Sequence, residues 1–335
     1  MQHACGPGRS LSGRSAVTAL HATIVPRPPF AFDLALEYLR TSPSTVTEVV
    51  TTDACLRAVR LLDRDVVVQI GPASPDGSLS VEVHGLDLRP AHLAAAVSLA
   101  ERVLATRVDV TALERDLAAD PVMDELARRY RGLRPVLIAD PLEALVWAII
   151  GQQINVAFAA KLKRALVERF GRRMRLAQRE FVLFPDAETL AGLDHERDLR
   201  PLQFSRQKSE YVIGVARTVA TGRLHLEALR RAEPEEAIAR LSQLKGVGRW
   251  TAEYVLLRGL GFPDVIPAAD GGLRRIIGHA YGFGRAATEA EVRALAARWA
   301  PWRAYAAFYW WFTLQRAAPP RVPRAAEGAP CSTLG

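Results

Sequence analysis

Leu244-Lys245-Gly246-Val247-Gly248-Arg249-Trp250-Thr251-Ala252 stands between two stretches of helical apolar spacing, PEEAIARLSQL (234–244) before it and RWTAEYVLLRGLG (249–261) after it. Two helices joined by Gly-Val-Gly predict a tight hairpin. Gly246 and Gly248 permit positive φ and put no side chain over the turn, so a phosphate can reach the backbone N–H groups that open the second helix, where the helix dipole also favours an anion. Such a contact grips a nucleic-acid backbone without reading its sequence. Gly246, Val247 and Gly248, flanked by the cations Lys245 and Arg249, are therefore candidate backbone contacts. At this point a plain helix–helix turn without any ligand explains the residues as well.

Downstream, Asp264-Val265-Ile266-Pro267-Ala268-Ala269-Asp270-Gly271-Gly272-Leu273-Arg274-Arg275 places a carboxylate, Asp270, just before a new helix and twenty residues after Trp250. With this pair of features the chain resembles the helix-hairpin-helix DNA glycosylase superfamily, and within it the bacterial 3-methyladenine DNA glycosylase II branch. The GRWTAEY run of Gly248 to Tyr254, Arg258-Gly259, the APWRAYA run of Ala300 to Ala306 and the IIGQQI segment of Ile149 to Ile154 carry the likeness further. It spans roughly residues 22 to 316.

The resemblance implies that Asp270 is the catalytic carboxylate. Breaking an N-glycosidic bond builds positive charge on the deoxyribose, and a fixed carboxylate in a water-poor site stabilises that charge and can orient or deprotonate the attacking water. An N3- or N7-alkylated purine is already cationic and departs neutral, so it needs no strong general acid. Asp270 can also be read as a helix N-cap, and the two roles are compatible. Members of the superfamily that nick the strand carry a lysine nucleophile where this chain has Trp250. An indole cannot form a Schiff base, which implies a monofunctional glycosylase leaving an abasic site.

Trp250, Tyr254 and Trp302 match positions that surround the extruded base in the resembled branch, where an aromatic wall attracts a cationic base by about 0.5–2 kcal/mol. Most of the remaining rings, Phe308, Tyr309, Trp310, Trp311 and Phe312, are assigned to the core. Gln153 falls at the wedge position, where the best-known relatives carry leucine; a polar residue at a helix start is the other reading. Lys208 and Arg274 join Lys245 and Arg249 as candidate phosphate contacts. The resemblance requires no cofactor and no catalytic metal, and allows a sodium or potassium ion at the hairpin's backbone carbonyls.

Around this core, 49% hydrophobic and 24% charged residues are ordinary for a globular protein, and a net charge of +8 favours a polyanionic partner. Residues 22–107 alternate in strand fashion around two helical stretches (FAFDLALEYLR, and AHLAAAVSLAERVLAT after Pro90), which predicts an α+β domain with an antiparallel sheet. From 108 to 316 the apolar spacing is helical, predicting an all-α helix-hairpin-helix core. Residues 1–21 and 317–335 read as disordered tails. The three cysteines, Cys5, Cys55 and Cys331, form no metal-binding pattern. No apolar run is long enough to span a membrane.

The expected partner is damaged double-stranded DNA, met by a monomer in the cytoplasm at the bacterial nucleoid, with no membrane involved. Two alternatives stay open. A glycosylase for deaminated or oxidised bases would share the hairpin and Asp270. A non-catalytic helix-hairpin-helix DNA-binding protein would share only the hairpin and the basic charge.

Overall fold

The computed structural model describes residues 17–316. Valine-rich segments in the first third pair into a five-stranded antiparallel sheet: β1 (Val17–Ile24), β2 (Glu48–Val50), β3 (Cys55–Leu61), β4 (Arg64–Pro72) and β5 (Leu79–Leu86), in the order β1-β5-β4-β3-β2. Strand β1 begins at Val17 and pairs with β5 from Val17↔Leu86 to Ile24↔Leu79. Residues 17–21 therefore belong to the sheet and not to a tail. The Val17-Thr18-Ala19-Leu20-His21 run supplies backbone groups to a ladder, which a reading of composition alone overlooked. The tail assignments for 1–16 and 317–335, and with them Cys5 and Cys331, lie outside the described residues.

The helices α1 (Phe32–Thr41) and α2 (Pro90–Val103, with Pro90 in the first turn as expected) belong to the same unit. Because side chains alternate across a strand, β4 sends Val66, Val68 and Ile70 to the main core and Val67 to the opposite face. On that opposite face Val67 lies beside Leu56 and Ala58 of β3, and Phe181 and Leu183 cover them. Phe181 lies on a hairpin, β6 (Arg173–Leu176) and β7 (Arg179–Val182), set within the segment expected to be all-helical. The helical core expected over 108–316 is otherwise as predicted, and this hairpin is the strand pair set into it. A central strand with apolar residues on both faces needs a second cover, and this hairpin provides it.

The remaining chain is helical: α3 (Leu113–Leu117), α4 (Pro121–Arg129), α5 (Pro141–Gly151), α6 (Val156–Phe170), α7 (Ala187–Ala191), α8 (Arg206–Ala220), α9 (Pro234–Ser242), α10 (Arg249–Val255, running on as a wider turn to Leu260), α11 (Gly271–Ala280), α12 (Glu289–Ala296) and α13 (Arg303–Gln315). Helix α5 is buried from Pro141 to Ile150, so its apolar residues surround the axis, as a central helix requires. Ile149 and Ile150 are fully buried, each contributing roughly 1.5–3 kcal/mol, and so anchor the loop that follows. Among the described residues no helix is long and apolar enough to cross a membrane.

The two units share one core. Tyr38 of α1 packs 4.6 Å, centroid to centroid, from Phe308 of α13. In the same interior Glu143 of α5, fully buried, pairs with Arg57 of β3 and with Lys163 of α6 at 2.6 Å. Lys163 also donates to Ser44 O at 2.5 Å, closing a buried ionic link between sheet and helices. Burial pushes the Glu143 carboxyl upward, but Arg57 and Lys163 together outweigh it and hold the group below the usual range.

Candidate active site

The loop Gly151–Asn155, the hairpin between α9 and α10, the start of α11 and one face of α13 meet around a cleft of about 980 Å³. Each edge has a local cause. Helix α5 stops at Gln152, which takes an extended ψ, and α6 restarts when the Asn155 side chain accepts from Phe158 N at 2.8 Å. Between them Gln153 sits exposed in the left-handed region (φ 58°), at the crest separating the cleft from the groove beside the hairpin. Its neighbour Gln152 ties this crest to the hairpin, donating to Gly246 O at 2.8 Å and Thr251 Oγ1 at 3.0 Å. Gln152 was not singled out in the sequence, although the Gln-Gln pair adjoins the matched wedge.

The hairpin forms as expected. Gly246 takes φ 86°, and a Cβ there would sit 2.2 Å from the Tyr211 ring, so both backbone conformation and packing demand glycine. Gly248 differs from expectation, with φ −91° and ψ 178°. It is the N-cap of α10, and a Cβ would meet nothing within 4 Å; its contribution is open space over the first N–H groups of the helix. Val247 is buried beneath the turn.

Asp270 caps α11, its Oδ1 accepting from Leu273 N at 2.9 Å and from Trp311 Nε1 at 3.3 Å. A Cβ on Gly272 would come within 3.0 Å of Oδ1, so the glycine leaves the carboxylate its space. The carboxylate is half-buried on the cleft wall. Next to it stands a row of rings: Trp250 and Tyr254 have centroids 5.9 Å apart, and Tyr254 and Trp311 are 5.6 Å apart. Trp147, Tyr38 and Arg258 complete the inner wall. Trp250 Nε1 is buried without a hydrogen-bond partner among the described residues, an unmet donor of the kind a ligand acceptor satisfies.

Four sequence-based assignments are corrected. Trp302 is outside the cleft: its Nε1 donates to Asp116 at 3.0 Å and its ring meets Tyr305 edge-on at 5.3 Å, bracing α13 against α3. The cleft-facing indole of this helix is Trp311, the exception in a group of rings read mostly as core. Lys208 directs its ammonium at Ile149 O (3.3 Å), Ile150 O (2.8 Å) and Gln152 O (2.5 Å), neutralising the end of α5, and burial lowers its pKa. Arg274 turns from the cleft, its Nε donating to Ala287 O at 2.7 Å, while the exposed neighbour Arg275 lines the cleft. Arg249 is engaged by Glu235 at 2.6 Å and Glu253 at 2.8 Å. Of the proposed cations beside the hairpin, Lys245 is the more exposed and is bridged only to an exposed Glu210 at 3.1 Å.

The arrangement can therefore hold a flat ring among aromatic faces, present a carboxylate to whatever is attached to that ring, and offer a basic helix start to a phosphate. Comparison with known proteins agrees with this geometry. Residues 146–301 match the family model described as HhH-GPD superfamily base excision DNA repair protein, and residues 22–137 match the AlkA N-terminal domain. A DNA-3-methyladenine glycosylase of Bacillus subtilis (strain 168) is 39% identical over 206 residues, 62% of this chain and 68% of that protein. DNA-3-methyladenine glycosylase 2 of Escherichia coli (strain K12) is 32% identical over 203 residues, 59% of this chain and 68% of that protein. The solved 3-methyladenine DNA glycosylase from Archaeoglobus fulgidus superposes with a TM-score of 0.77 at 28% identity, covering 88% of this chain and 99% of that one.

Proposed function

The chain belongs to the helix-hairpin-helix superfamily of base-excision DNA repair proteins, and from that membership we propose that it is a monofunctional DNA N-glycosylase removing alkylated bases such as 3-methyladenine and 7-methylguanine. The observation that carries the reading is the Asp270 carboxylate, fixed by Leu273 N and Trp311 Nε1 at the edge of a cleft walled by Trp250, Tyr254 and Trp311.

An extruded base enters between these rings, where a cationic alkylated base gains the cation–π attraction that a neutral base lacks. Gln153, exposed on its crest, fills the gap left in the stack and can hydrogen-bond the orphaned partner base. The hairpin N–H groups and Lys245 hold the backbone. As the glycosidic bond lengthens, both electrons depart with the base, and Asp270 stabilises the positive charge left on the sugar and orients the incoming water. Trp250 in place of an amine leaves no route to a Schiff base, so the product is an intact strand with an abasic site.

A sodium or potassium ion at the hairpin would rest on main-chain carbonyls of the turn. Two of these, Leu244 O and Gly246 O, already accept from Val247 N and Gln152 Nε2. The ion would organise the phosphate grip and leave the chemistry to Asp270. The protein works as a monomer on double-stranded DNA, in the cytoplasm at the nucleoid, without a membrane.

The test is release of methylated bases from alkylated duplex DNA, identified by chromatography, with strand breaks scored before and after alkali. Methylpurine release with breaks only after alkali is the expected result. Breaks without alkali would refute the monofunctional reading, and tight duplex binding with no base released would favour a non-catalytic DNA-binding protein.

A further inference from the structure

One charged group on the cleft wall has no task in the mechanism above. Arg258 is only 3% exposed. Its Nε donates to Val136 O at 3.0 Å and its Nη1 to the Tyr38 hydroxyl, while the guanidinium lies 5.0 Å from the Tyr38 ring centroid and 5.6 Å from that of Phe308. Among the described residues no carboxylate pairs with it, and its Nη2 has no partner. Burial works against its charge, but Tyr38, Tyr254 and the more distant Glu48 hold the guanidinium cationic, while Nη2 is left for a bound group to use. Asp270 lines the same cleft. The Tyr254 phenol, on the same wall, feels both: burial raises its pKa, Arg258 works against that rise and Asp270 adds to it.

We propose that Arg258 is the inner, positive end of the base pocket, opposed to Asp270, and that the resulting field drives positive charge from the extruded base toward the sugar. The proposal rests on the glycosylase reading and assigns Arg258 a specificity role within it. When the C1′–N bond of a cationic base breaks, the bonding pair goes to the base nitrogen. The base leaves neutral, the charge grows on the sugar, and water adds at C1′ and loses a proton. That charge moves away from Arg258 and toward Asp270. Arg258 therefore weakens the binding of a cationic base and speeds its loss. A neutral base leaves with developing negative charge, and its carbonyl edge can accept from Nη2, so Arg258 assists that departure without the binding penalty.

Single-turnover release from duplexes carrying one 7-methylguanine (cationic) or one hypoxanthine (neutral) separates these effects. In Arg258→Met the half-saturating enzyme concentration for the 7-methylguanine duplex should fall, and its maximal rate should also fall, each by about tenfold, less than for a charge in contact because Arg258 acts from the far wall of the cleft. Hypoxanthine should lose rate without gaining affinity, and Arg258→Lys should keep most of the wild-type pattern. A packing role would weaken and slow both substrates alike, and that result, or unchanged constants in folded Arg258→Met, would overturn the proposal. Should Arg258→Met not fold, Arg258→Gln, which drops the charge but keeps a donor amide, should move the constants in the same directions; unaltered constants there would overturn it. Wild-type protein releasing neither base would refute the glycosylase reading and this inference together, whereas wild-type release with no split in the variants refutes this inference alone.

Discussion

Replacing Asp270 by Asn separates the catalytic role of this side chain from its structural one. The Asn oxygen can still accept from Leu273 N, now at 2.9 Å, and from Trp311 Nε1, now at 3.3 Å. Asn and Asp are equivalent as N-caps, so the helix start should survive, with a loss of about 0.3–1 kcal/mol for the missing charge at the dipole's positive end. What disappears is the negative charge facing the sugar. At roughly 4 Å and an effective dielectric near 20, a unit-charge interaction is worth about 4 kcal/mol, on the order of a thousandfold in rate. Single-turnover release of 7-methylguanine should therefore fall by about that factor, while the thermal midpoint moves by no more than about 4 °C. Asp270→Ala should be as inactive and additionally lose the cap, about 0.5–2 kcal/mol. The reasoning fails if folded Asp270→Asn keeps more than about a tenth of the wild-type rate, or if Asp270→Ala melts with the wild type.

Trp311→Phe should slow base release by about tenfold through the lost hydrogen bond to Asp270, whereas Trp302→Phe should cost about 1 kcal/mol in a thermal melt and leave release within about twofold. Glu143→Gln leaves Arg57 and Lys163 buried without their partner and should cost about 3–5 kcal/mol at neutral pH, measured by chemical denaturation. Because the folded Glu143 pKa is depressed, its contribution is complete above the ordinary glutamate value of 4.5 and is lost as pH falls through the lower folded value. The wild-type advantage over Glu143→Gln should accordingly shrink in melts taken below pH 4.5. Lys245→Ala should lower the slope of log binding constant against log salt by about 1, while Lys208→Met should leave that slope unchanged and reduce stability by about 1.5–3 kcal/mol.

The sequence by itself determined the hairpin, the helix-starting aspartate and the antiparallel sheet, because each rests on local geometry. Gly246 is required by a positive φ, Asp270 caps the helix that begins at Gly271, and alternation in Leu79–Leu86 (buried at Leu79, Val81 and Val83) has the period of a half-buried strand. The Arg-Met-Arg-Leu run of β6 alternates in the same way, but Arg-Glu-Phe-Val of β7 buries only Phe181 and shows no alternation, so the hairpin was half legible beneath the helical pattern around it. Only the tertiary structure decided which rings form the pocket. Helix α13 is buried over nearly its whole circumference, from Ala304 to Thr313, so no polar stripe orients it and no periodicity distinguishes Trp311 from Trp302. The same holds for charge. Lys208 and Lys245 are alike in sequence, but the carbonyls at the end of α5 claim the first and leave the second at the surface. Arg258 and Tyr38, 220 residues apart, meet because both pack on the Phe308 ring of α13, and a contact of that sequence separation is a property of the packed core that neither segment encodes alone.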